Sequence, residues 1–211
     1  VRSGAAAWVV VLAFSLGDPS VAVADNAFYS PTASGIDKVC DAYRPHASRA
    51  DVVRLARIGA SDAPWTLSDD GTSARVQEDP KFASGDFVTI VLDRGAIVSA
   101  DSTHVDASIG HVILHAWCFI GGKLSRATVD FAPTFDRGAG YRRTSYYGDD
   151  LDQPLFETMN ERGSVGKTYV APPKEIDALL VVEPDARPAN LPFYDAFELE
   201  RKGLLPRLKG P

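Results

Sequence analysis

The chain has 211 residues, a formal net charge of −6 and two cysteines, Cys40 and Cys118. Its acidic balance disfavours nucleic-acid binding, because neutralising phosphates needs a basic surface. No Gly-x-Ser-x-Gly elbow, His-Glu-x-x-His or paired Cys-x-x-Cys occurs, so the common hydrolase and zinc motifs are absent and no cofactor is implied.

Residues 1–24 have the layout of a signal peptide. Arg2 is the single positive charge, an apolar run extends from Ala5 to Leu16, and Ala22, Val23 and Ala24 form a small-x-small triplet before the expected cleavage at Asp25. The run falls short of the about 20 residues of a membrane span and is broken by Gly17, Asp18 and Pro19. The alternative is a retained anchor. Cleavage leaves residues 25–211 as a single secreted globular domain, periplasmic or extracellular, with no membrane span. A leading valine, read as a GTG start codon, points to a bacterial source. In an oxidising compartment Cys40 and Cys118 are a candidate disulfide, with two buried free thiols as the alternative.

The segment 34–60 predicts two helical pieces. Ser34 caps the first, whose Ile36, Val39, Cys40 and Tyr43 recur at three- and four-residue spacing until Pro45. Ser48 and Asp51 resemble a capping box ahead of Val52 to Gly59, although Val53, Leu55 and Arg57 also alternate as in a strand. From Trp65 onward, β-rich runs surround Asp70-Gly71, Arg94-Gly95 and Gly121-Gly122, with a further turn near Gly148 and Asp149. These are hairpin signals, and their even spacing predicts an antiparallel meander. "EIDALLVVE" reads as a short helix or a buried strand, and "LPFYDAFELERKGLLP" as a closing helix with Tyr194, Phe197 and Leu199 as core contacts. The basic end, "RKGLLPRLKGP", reads as a frayed tail, with a docking segment as the alternative. The fold class expected is α+β: an N-terminal helical segment, a meandering antiparallel sheet and a C-terminal helix.

"HVILHAWCFIGGKL", residues 111 to 124, poses a choice. On a helix, His111, His115 and Cys118 would share one face and could begin a zinc site. On a strand, His111, Ile113, His115, Trp117 and Phe119 point one way, and Val112, Leu114, Ala116, Cys118 and Ile120 the other. The second set is wholly apolar and reads as the core side. The glycine turn and the alternating "KLSRATVDF" favour the strand, on which Cys118 cannot join the histidines, so no metal site is expected. His111 and His115 then lie about 13 Å apart by strand rise. Each would need partners from neighbouring strands, such as His104, Asp101 or Asp106.

"ERGSVGKTY" imitates a phosphate loop but has Glu161 where the first glycine belongs, and reads as a loop. "GDDLD" reads as a solvated acidic turn rather than a calcium site. The most binding-like stretch is "YRRTSYYG", where Tyr141, Arg143, Ser145 and Tyr147 share one strand face and Arg142, Thr144 and Tyr146 the other. Tyr141, Arg143, Tyr147, His111 and His115 are therefore the candidate binding residues, and no catalytic residue is assigned. The function expected is a secreted or periplasmic binding or accessory protein of the cell envelope, its partner an unknown small ligand or envelope protein. The alternative is a secreted hydrolase using His and Asp residues, with or without a metal.

Overall fold

The computed structural model describes residues 31–48, 51–69, 72, 84–106, 110–133, 140–148, 154–161, 172–181 and 187–208. The expected leader, the Asp70-Gly71 turn, the acidic turn at 149–152 and the loop at 162–169 lie outside these residues. Helix α1 (Pro31–His46) precedes eight strands: β1 (Val52–Ile58), β2 (Thr66–Leu67), β3 (Ser84–Asp93), β4 (Ala96–Asp106), β5 (His111–Ile120), β6 (Lys123–Pro133), β7 (Tyr141–Tyr146) and β8 (Phe156–Glu161). Two helices follow, α2 (Lys174–Asp177) and α3 (Tyr194–Arg201). The strands form one sheet in the order β2-β1-β3-β4-β5-β6-β7-β8, antiparallel throughout. This is the expected α+β arrangement.

The two short hairpins form where the glycines predict them. Arg94 and Gly95 join β3 to β4 with φ of 51° and 81°, and Gly121 and Gly122 join β5 to β6 with φ of 61° and 79°. Positive φ at both central residues matches the right-handed twist of the flanking strands.

Two expectations about local structure are corrected. Residues 52–58 are a strand, not a helix: Ser48 and Asp51 close a single turn, with Asp51 N–H donating to Ser48 O at 3.0 Å, and the chain then pairs with both β2 and β3. The period-two alternation of Val53 and Leu55 outweighs the capping signal because two neighbouring strands satisfy its backbone groups. The tail is docked rather than frayed through residue 208. Leu67 N–H donates to Pro206 O and Leu208 N–H to Leu67 O, both at 2.8 Å, so the tail covers the edge of β2.

Facing residues of an antiparallel ladder share a side, so the register sorts every strand into two faces. One face carries Val53, Leu55, Val88, Ile90, Ala100, Phe119, Leu124 and Ala127, which pack beneath Leu191, Phe193, Ala196 and Phe197 of the α3 segment. On the same side Val129 and Met159 pack with Leu180, just after α2. The other face is covered by α1, which the Cys40–Cys118 disulfide ties to β5.

In β5 the expected core side is reversed. Trp117 and Phe119, from the mixed set, belong to the α3 core, Phe119 with no exposed surface. Leu114 and Ala116 border a polar cavity under α1. Their neighbours across the sheet decide this: Thr103 and Asp130 flank Leu114, and Asp101 and Thr128 flank Ala116.

The disulfide closes a separation of 78 residues. Replacing both cysteines by serine is expected to lower unfolding free energy by about 4 kcal/mol, measured by urea denaturation. Phe197→Ala, which empties a buried site under the sheet, is expected to cost about 3–5 kcal/mol in the same assay. A loss near zero for the cysteine pair would mean that α1 is held without the bridge.

Candidate functional site

A cavity of about 660 Å³ lies between α1 and the sheet. Its floor is a rung that crosses the strands in register: Arg54, Thr89, Asp101, Ala116, Thr128 and Thr144. A second rung, two residues along each strand, supplies Phe87, Thr103, Leu114, Asp130 and Arg142. Arg54 and Thr144 border the same cavity although a flat sheet would hold them about 24 Å apart, in keeping with the twist and curl of so wide a sheet. The roof is the α1 surface carrying Asp37 and Asp41.

Five aspartates and three arginines line this space. Arg142 grips Asp130 with two bonds of 2.7 Å, and the carboxylate is almost wholly buried. Arg126 reaches from β6 to α1, binding Asp37 at 2.6 Å and Asp41 at 2.9 Å. Burial opposes the Arg126 charge, but its bonds to both aspartates outweigh that and raise its pKa. Arg142 is likewise held protonated, chiefly by its bond to Asp130. Tyr146 donates from its hydroxyl to Asp37, and burial together with that carboxylate pushes its pKa well above the usual tyrosine value. The charges are thus fixed in place before any ligand enters.

On the opposite face, a cleft of about 480 Å³ separates the α3 core from the α2 cluster. Here His104 Nδ1 lies 2.8 Å from Asp86 Oδ1, and Arg57 donates to Asp86 Oδ2 from Nε at 2.8 Å and Nη2 at 2.6 Å. His115 lines the same cleft and stacks on Trp117 at 5.5 Å. The partner of His104 is thus Asp86, two strands from β5. Asp101, named from the sequence, points to the α1 face, and Asp106 stands opposite His111 in the ladder.

The remaining sequence candidates are dispersed. His111 sits at the start of β5 against Phe131, ring centroids 5.1 Å apart. Tyr141 packs on the α2 cluster. Arg143 binds Asp177 at 2.7 Å and the Leu180 carbonyl at 3.1 Å, and Tyr147 is 3% exposed in the α3 core. The parity expected for Tyr141 to Tyr147 holds, but this side is covered by the helical segments. Its opposite side, Arg142, Thr144 and Tyr146, faces the cavity. Sequence reading missed the cavity because each mid-strand Thr, Asp or Arg looks like an ordinary solvent-facing residue; the signal available was several such strands in succession.

Among the described residues no group of three or more His, Cys, Asp or Glu is placed to hold a metal, and no helix is long and apolar enough to cross a membrane. Fold and site together define an α+β protein with a polar cavity between a wide antiparallel meander and a bridged helix. No protein-family model, curated protein or solved structure matches the chain.

Two outcomes test these electrostatics. Arg142→Met strands the buried Asp130 carboxylate and is expected to cost about 2 kcal/mol, the arginine's own half exposure moderating the effect, while Asp130→Asn in the same chain recovers part of it. For Tyr146 the folded pKa lies above the unfolded value near 10, so its contribution is complete below that pH and is lost as pH rises through the folded pKa. Tyr146→Phe should therefore flatten the fall in stability above pH 10. An unchanged alkaline slope would show that another group carries it.

Proposed function

We propose that the protein is a secreted or periplasmic binding protein of the cell envelope whose α1-covered cavity takes a small polar ligand. The carrying observation is the cavity itself: a ligand-sized space floored by a rung that is polar at every strand but β5, where Ala116 stands. Hydroxyls of Thr89, Thr103, Thr128 and Thr144 both donate and accept, and arginine and aspartate groups stand beside them. A purely apolar ligand would bury these groups without hydrogen bonds, which is costly. The disulfide supports an oxidising compartment, in agreement with the signal-peptide layout of residues 1–24.

A second reading, a hydrolase, is favoured by one observation. Asp86 holds His104 by Nδ1 and is itself held by Arg57, and an imidazole so held can present Nε2 to accept a proton from water or a hydroxyl.

The test is a thermal-shift screen of the full chain against small polar metabolites, followed by Thr144→Val and Thr128→Val. A stabilising compound is expected whose affinity falls about tenfold in either variant, the equivalent of one lost buried hydrogen bond. A library that shifts nothing, or hits indifferent to both changes, would remove the cavity reading. A parallel panel of ester, phosphate and peptide substrates would favour the hydrolase if turnover appeared and vanished in His104→Ala.

A further inference from the structure

The cleft on the α3 face has a character unlike the α1 cavity. Two of the chain's three tryptophans, Trp65 and Trp117, stand in its wall. Each indole is braced from within the protein. The Arg57 guanidinium lies 4.7 Å from the Trp65 ring centroid, and Trp117 is stacked by His115 and met edge-on by Phe193 at 5.9 Å. Bracing of this kind holds ring faces in position, so little conformational freedom is lost when a ligand settles on them.

The polar groups of the cleft are equally constrained. Arg57 and Asp86 neutralise one another through two bonds, and Asp86 fixes the His104 ring. Ser102 and Asn190 complete the polar lining. With Arg57 and Asp86 cancelled, the described lining offers a charged ligand no further carboxylate, lysine or arginine as counter-ion, and an aliphatic one would desolvate His104 and Ser102 for nothing. The lining offers groups of both hydrogen-bonding senses. Hydroxyls suit such a lining because each can donate or accept by rotation, unlike the fixed edges of a planar heterocycle.

We propose that this cleft is a binding site for a neutral sugar ring, seated with its apolar C–H face on the indole wall and its hydroxyls toward His104, Ser102 and Asn190. The volume of about 480 Å³ is within the range of small-ligand sites. The site lies across the sheet from the α1 cavity, with His115 and Thr128 bordering both spaces, and requires no hydrolysis.

The experiment is a tryptophan-emission titration in a Trp8→Phe background, where only Trp65 and Trp117 report. The probes are glucose, galactose, mannose, N-acetylglucosamine, maltose and cellobiose, with glucuronate and glucosamine as charged controls. At least one neutral sugar should give a saturable change that the charged controls do not match. His104 is 42% exposed, so His104→Ala is expected to keep the fold while weakening binding about tenfold. Trp65→Ala, read through Trp117, should do the same, and Trp65→Phe should retain most of the affinity; if Trp65→Ala unfolds the chain, His104→Ala decides. The proposal is overturned if no neutral sugar saturates or if the charged sugars bind as well. A response indifferent to His104→Ala but abolished by Thr144→Val would also overturn it, assigning the sugar to the other face.

Discussion

The structure depends on alternation of side chains along eight antiparallel strands of one sheet, broken only where bulges shift the register near Val91 and Cys118 among the described residues. Because facing residues share a side, a residue's parity commits its cross-strand neighbours as well. A wide sheet of this kind has two faces to cover, and here they are covered by opposite chemistry. The α3 face is apolar where Leu191, Phe193, Ala196 and Phe197 close-pack on it, with the polar cleft of Arg57, Asp86 and His104 beside that packing. The α1 face carries a polar rung and is roofed with space left beneath the helix.

That difference explains how each cover is attached. Apolar packing suffices for α3, whose Phe197 is fully buried, as is Phe193 just before it. Helix α1 has far less to pack: Ala33 and Cys40 are buried, while Val39 is substantially exposed. A helix held over a cavity forgoes dispersion contacts with the floor. Its fastening is covalent and ionic instead, through the Cys40–Cys118 bridge, the Arg126 pairs with Asp37 and Asp41, and the Tyr146 hydroxyl. These fastenings fix the roof without filling the space beneath it. The C-terminal tail makes a related compromise at the β2 edge, where Leu205 packs on the α3 core and Leu208 against Ala56, Phe87 and Val105.

Local signals carried much of the fold. The paired glycines at 121 and 122 and the Arg94-Gly95 step announced their hairpins because positive φ is a property of single residues. The closing helix was legible from its proline, its apolar spacing and the glycine beyond it, and the cysteine pairing from there being only two. Residues 52–58 were misjudged because a capping box is a local preference, whereas pairing with β2 and β3 is not visible within seven residues. The polar side of "YRRTSYYG" could be separated from its other side by parity alone, yet which side met a helix and which a cavity could not.

The sequence by itself determined the alternation, the hairpin positions, the available cysteine pair and the acidic balance, since each follows from residue identity and short spacing. Only the tertiary structure decided which parity faces the core, that Asp86 pairs with His104 while Asp101 lies on the α1 face, and that threonines from three different strands form one rung. The physical reason is that period two tells alike from unlike but assigns neither to the inside. That assignment depends on what the other strands and the covering helices place opposite, and those neighbours are distant in the chain.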